Sequence, residues 1–314
     1  MHGTFYGWYL KCQSDTQTLA VIPAIHGTGK KRTCSIQIIT ESGAWNVPYH
    51  GSAYHRIGHG MKNATFRDIV IGKNRFGKNG ISLSIHVPGL EVKGKLDFGP
   101  LSYLKYDIMG PFLLVPFLEC RHSVWSMLHP VSGTIFINEQ KYTFWNDRGY
   151  WEGDRGRSFP KKYAWTQCFF RGGSLMMSVA DIPIAGLHFN GVICIVLWHG
   201  KEYRLATYLG ARAVGIRHGV IRIVQGDMVL EAKLYKPKRL KNIRGHGNGH
   251  QAGRHPSSEQ QSSIHPLKAP IMGDMDRIIH ESAECLASYR LQKGEQILFT
   301  FKTDKASFEY EYPD

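Results

Sequence analysis

The sequence predicts an all-β protein made of two β-barrel or sandwich units with few, short helices. The first observation is period two: "TLAVIPAI", "CSIQIIT", "ISLSIHV", "GTIFINEQKYTF", "GVICIVLW" and "VIRIVQGDMVLEAKLY" alternate or run apolar and favour Val, Ile, Phe, Tyr and Thr. The second is turn chemistry, because 34 glycines, with Asn and Asp, punctuate these runs. The third is size, since 314 residues at 42% hydrophobic content suffice for two cores of ordinary dimensions.

Taken in order, the chain opens with "MHGTFYGWYLKC", which alternates like a strand and lacks the basic start and long apolar run of a secretory signal. Strands continue to about His86 and Phe98. The most apolar stretch, Ile108 to Cys120, is broken by Pro111 and Pro116 and is shorter than the roughly 18 to 20 residues that span a bilayer. A fresh hairpin begins at Val131, so the expected domains are 1–128 and 129–314. "INEQKYTF" and "IVQGDMVLEAKL" each place a short polar turn between two strands. "IHESAECLAS" suits a short helix or a strand equally. "NIRGHGNGHQAGRHPSSEQQSS" has almost no apolar residues and reads as a flexible loop, about 236–271, with nothing catalytic on it.

Composition narrows the class. Cys12, Cys34, Cys120, Cys168, Cys194 and Cys285 are scattered without a C-x-x-C pair, which fits buried thiols in a reducing compartment, so the chain is expected in the cytoplasm. A net charge of +14 suits peripheral contact with an anionic membrane. It is weak support for nucleic-acid binding, because the clusters at Lys30, Lys31 and Arg32 and at Lys236, Lys238, Arg239, Lys241 and Arg244 accompany no groove-reading helix.

Several motifs fail. "HGTGKKRT" has Ala24 where a phosphate-binding loop needs glycine and Lys31 where it needs Ser or Thr. His246, His250 and His255 sit in a glycine-rich stretch without thiolate or carboxylate support, so no metal is expected. Gly58 and Gly60 argue against a helix that would align His55 with His59. Neither a G-x-S-x-G elbow nor a G-x-G-x-x-G loop after a strand is present.

The chemistry concentrates in "GYWEGDRGRSFPKKYAWTQCFF", Gly149 to Phe170, where acids, bases and indoles crowd together. With "FYGWYLK", "LAVIPAI" and "MGPFLLVPFLECRHSVWSMLHPVSGTI", in that order along the chain, this segment resembles the tocopherol cyclase family. The resemblance covers the first 170 residues well and the remainder by β character and the ending "KTDKASFEYEY". It implies lipocalin-like β-barrel units and a cofactor-independent reaction in which a phenol oxygen adds to a prenyl double bond. Such chemistry needs a protonated acid in a dry cavity, and burial raises a carboxyl pKa.

Glu152 or Asp154 is the candidate acid, and His122 or His129 the acceptor of the phenol proton. Trp8, Trp125, Tyr150, Trp151, Trp165 and Gln167 are the candidate substrate-binding residues, with aromatic faces able to stabilise a carbocation by roughly 0.5 to 2 kcal/mol each. The competing reading pairs Glu152 and Asp154 with Arg148, Arg155, Arg157, Lys161 or Lys162 and keeps both ionised. Arg155 also departs from the family, whose plant-like members carry tryptophan at that place. Two functions follow: a cyclase, or related isomerase or hydratase, acting on a prenylated or other lipophilic small molecule, and a carrier that binds such a molecule unchanged.

Overall fold

The computed structural model describes residues 3–57, 68–115, 118–184, 187–235 and 264–313, which form β-strands joined by turns and short 3-10 segments. The first sheet comprises β1 (Thr4–Gln13), β2 (Thr18–Gly27), β3 (Thr33–Thr40), β4 (Ala44–His50), β5 (Tyr54–Ile57) and β6 (Asp68–Ile71). It continues through β7 (Asn74–Gly77), β8 (Gly80–Val87), β9 (Leu90–Phe98), β10 (Cys120–Ile137) and β11 (Gln140–Gly156). The strand order is β4-β3-β2-β1-β11-β10-β9-β8-β7-β6-β5, so the last long strand closes against the first.

The second sheet comprises β12 (Tyr163–Phe170), β13 (Gly173–Ile184), β14 (Leu187–Trp198), β15 (Lys201–Ala206) and β16 (Arg212–Arg217). Its remaining strands are β17 (Val220–Gln225), β18 (Met228–Leu234), β19 (His265–Ile271), β20 (Asp274–Lys293) and β21 (Gln296–Tyr310). The order is β15-β14-β13-β12-β21-β20-β18-β17-β16, with β19 on the free stretch of β20. Among the described residues the strand pairings are antiparallel, and the all-β expectation holds.

The chain passes between sheets over residues 157–162, and residue 129 lies inside β10, which pairs with β9 and β11 on the first sheet. "IHESAECLAS" is part of β20. The loop expected over 236–271 needs a correction at its end, because His265–Ile271 is strand β19, pinned where the Gln37 side chain both accepts from the Lys268 N–H and donates to its carbonyl. His59, His246, His250 and His255 lie outside the described residues. Among the described residues no helix is long and apolar enough to cross a membrane.

Each sheet curls around its own core. In the first, Val21, Ile36 and Ile38 from one end of the strand order pack with Ile69, Phe76 and Ile81 from the other. In the second, Leu175, Met177 and Val196 meet Ile221, Ile223 and Leu230. Alternation supplies the two-sidedness: one set of side chains fills each roll, and the intervening set is free to pack outward. Where the two rolls meet, Tyr9, Ile39, Tyr150, Trp165, Met176 and Ile195 build a third apolar cluster. That seam is where the site lies.

Candidate active site at the seam between the sheets

Strand β11 acts as a partition. Tyr150, Glu152 and Asp154 point into the seam, while Trp151 points into the first roll, with its ring 4.8 Å from that of Trp8 and 5.4 Å from that of Trp125. Gly153 also belongs to the roll side, and a Cβ there would lie 2.5 Å from the Trp125 ring, so the missing side chain makes room for that indole. Register then assembles the site: Glu152 stands between Tyr9 of β1 and Val124 of β10, and Asp154 between Gly7 and His122.

His122 is the centre of the cluster. Its Nδ1 lies 2.9 Å from Asp154 Oδ1, and its Nε2 lies 3.1 Å from Glu152 Oε2 in an ionic contact outside hydrogen-bond alignment. Glu152 Oε2 also accepts from the Tyr150 hydroxyl and, at 3.2 Å, from Trp165 Nε1 of the opposite sheet. Burial alone would depress the His122 pKa, but the two carboxylates outweigh it and hold it well above the usual histidine value. The cluster therefore contains an imidazolium.

The second sheet brings two further carboxyls that sequence reasoning missed. Glu309 and Glu281 are register partners on β21 and β20. Tyr163 donates to Glu309, and the Tyr9 hydroxyl donates to Glu281 Oε1 at 2.6 Å across the seam. Burial raises the Glu309 pKa well above the carboxylate range, reinforced by the charge of Glu281. Burial likewise lifts Glu281 to about 7, against the Tyr9 hydrogen bond and the Lys11 charge. Both are bonded to phenols, and neither is in contact with His122. Lys11, fully buried on the same face of β1, is itself pushed down to about 8 by burial.

Glu309 and the His122 cluster border a cavity that opens between the two sheets. Its walls are mainly apolar, with Phe5, Met109, Phe112, Ile182 and Ile279 among them, and its polar groups include His122, Glu152, Asp154 and Glu309. Phe159 and Pro160 line it too, so the link between sheets does more than turn the chain. β19 contributes Leu267, Lys268 and Pro270, from a stretch expected to be an uninvolved loop.

The structure thus gathers Glu152, Asp154, His122, Trp8 and Trp165 at the cavity and buries Tyr150 directly behind Glu152. Four expected residues lie elsewhere. His129 packs 4.6 Å from the Phe98 ring, bonds Ser126 Oγ at 3.0 Å and is pushed by burial down to about 4, so it is a neutral core histidine. Trp125 and Trp151 fill the first roll, and Gln167 is buried beside Ser174, outside the cavity lining. Ion pairing with the nearby cations also needs correction: Arg148 pairs with Asp15 at 2.7 Å, and Arg155, Lys161 and Lys162 are exposed. The cation at the two acids is His122.

The seam site and the paired rolls define a class: a two-unit β-barrel protein with a lipophilic cavity between its units. No family model matches the sequence, and no curated protein matches it. Solved structures do share the fold. CghA is similar with a TM-score of 0.59 at 9% identity, covering 100% of this chain and 89% of that one. A structure of CghA with Sch210972 gives 0.59 at 8% identity, covering 98% and 88%. A Nitrosomonas europaea protein assigned as AttH gives 0.50 at 8% identity, covering 100% and 93%.

Proposed function

We propose that the chain is a cofactor-independent cyclase or hydratase, of the tocopherol cyclase type in its chemistry, acting on a prenylated or otherwise lipophilic small molecule. The observation that carries the reading is the pairing, around one apolar cavity, of a neutral carboxyl with an ionised cluster. A carboxyl kept neutral by burial can give a proton, and carboxylates in ionic contact with an imidazolium can receive one. Glu309 holds its proton at neutral pH, and with Tyr163 on Oε2 its Oε1 is the atom left to carry it. It replaces Glu152 and Asp154 as the proton donor.

Proton transfer from Glu309 to a trisubstituted alkene leaves a tertiary carbocation. Glu152 and Asp154 with one imidazolium between them bear a net negative charge, which stabilises that cation. A phenol oxygen of the same substrate then adds to it, and the released proton goes to Glu152 or Asp154, so product and substrate are isomers. Addition of water in place of the phenol gives the hydratase outcome. His122, already protonated, is a positioning cation and not the base. The indole of Trp165 adds a π face beside the cavity. Arg155 is exposed and lines the cavity on the other face of β11, not the seam cavity.

The structure of the fold relative CghA with Sch210972 supports a small-molecule ligand. A carrier would use the same apolar walls, and the test separates the two readings. Lipophiles extracted from the protein purified out of its own host are incubated with wild type, Glu309→Gln and Asp154→Asn. A retention shift at constant mass, or with gain of one water, that disappears in Glu309→Gln is the expected result. A bound lipophile that none of the proteins alters makes the chain a carrier.

A further inference from the structure

We propose that the open end of the first roll is a second binding site, for a ligand carrying a carboxylate or phosphate on an apolar body. Arg32, Arg56 and Arg155 arrive there from three separate places, ahead of β3, on β5 and at the end of β11, and line one cavity. Among the described residues none of the three pairs with a carboxylate; Arg56 instead stacks on the Tyr6 ring, 5.0 Å from its centroid. Asp154, the acid on the same cavity wall, is already engaged by His122 and Cys120.

Three like charges facing one space repel, and an anion removes that repulsion. Guanidinium forks match the oxygens of carboxylate and phosphate in geometry as well as charge. The Tyr54 hydroxyl is buried at this cavity with no hydrogen-bond partner among the described residues, a donor held ready for an acceptor. Tyr6, Ile25, Tyr54 and Trp125 supply the apolar wall that asks for more than an inorganic ion. The site shares Phe5, Gly153 and Asp154 with the seam cavity, so its occupant rests against the strand that carries the ionised cluster.

Calorimetric titration tests it with four probes: 4-phenylbutanoate, 3-phenylpropyl phosphate, the neutral alcohol 4-phenylbutanol and inorganic phosphate. The first two are expected to bind, more weakly as salt is raised, and at least tenfold more tightly than the alcohol and than phosphate alone; their ratio identifies the preferred head group. Arg56→Gln with Arg155→Gln is expected to lose at least tenfold in affinity, Tyr54→Phe a smaller factor, and Glu309→Gln nothing. Equal binding of the alcohol, equal binding of inorganic phosphate, absence of binding by both organic anions, or affinity unchanged in the double arginine variant each overturns the proposal. Thermal melting confirms that the arginine variants fold, and Tyr54→Phe serves if they do not.

Discussion

The two carboxyl pairs at the seam differ in their company and not in their residue type. Glu152 and Asp154 on β11 enclose the imidazolium of His122, whereas Glu281 and Glu309 on β20 and β21 are hydrogen-bonded to phenols, those of Tyr9 and Tyr163, with the Lys11 charge acting on Glu281 from farther off. Burial raises Glu281 and Glu309, while Glu152 and the partly exposed Asp154 carry ionic contacts instead. Register places the imidazolium directly opposite Asp154, on the strand next to both acids. Strand pairing thus decides which of the seam's acids face the imidazolium.

The largest effect should come from breaking the neutral pair. Glu309→Gln is expected to lower turnover by about 10² to 10⁴, the usual worth of a general acid, with ligand affinity retained; single-turnover assays and equilibrium binding measure the two separately. Glu281→Gln, which does not line the cavity, should leave turnover within a small factor, and an equal loss there would erase the distinction between donor and neighbour. Next comes the charged cluster: His122→Phe leaves two buried acids without their cation and should cost about 3 to 5 kcal/mol, read from denaturant unfolding. An unchanged midpoint in that variant would show that the imidazolium is dispensable.

Smaller is the pH response. Glu281, Glu309 and His122 all have raised folded-state pKa values, so each contributes stability that is complete below its unfolded value and lost as pH rises through the folded one. For Glu281 that window runs from the ordinary carboxylate value of 4.5 to about 7. Unfolding at pH 5 and pH 7.5 should therefore show the protein more stable at the lower pH, and Glu281→Gln should flatten the difference. Lys11 has the opposite sign, its depressed value returning stability only as pH climbs above about 8. Smallest is Asp154→Asn: with one attraction gone, the His122 imidazole should titrate at lower pH by NMR, with little change in melting.

Half of this site was legible along the chain and half was not. Glu152, Asp154 and His122 stand in two dense segments, and the pairing of β10 with β11 joins them in one sheet, so local crowding pointed to them. Glu309 lies far along the chain on the other sheet, and only tertiary packing sets it opposite. Its one sequence signal was in "KTDKASFEYEY", where Glu309 is flanked by Phe308 and Tyr310. The aromatic assignments failed for a related reason. Trp151 and Glu152 are adjacent in sequence, and adjacency in a strand means opposite faces, so the indole nearest the acid along the chain is turned away from it in space. His129 was misplaced for the same reason: it lies seven residues beyond His122, an odd number, so alternation along β10 turns it away from the seam.

That partition also constrains how the gene can change. Deleting one codon between Tyr150 and Asp154 would carry indoles into the seam and carboxylates into the first core, while deleting two would keep every remaining side chain on its own side. Descendants of this sequence can remodel β11 by substitution or in paired steps, and a lone insertion or deletion there forfeits both the fold's interior and its chemistry at once.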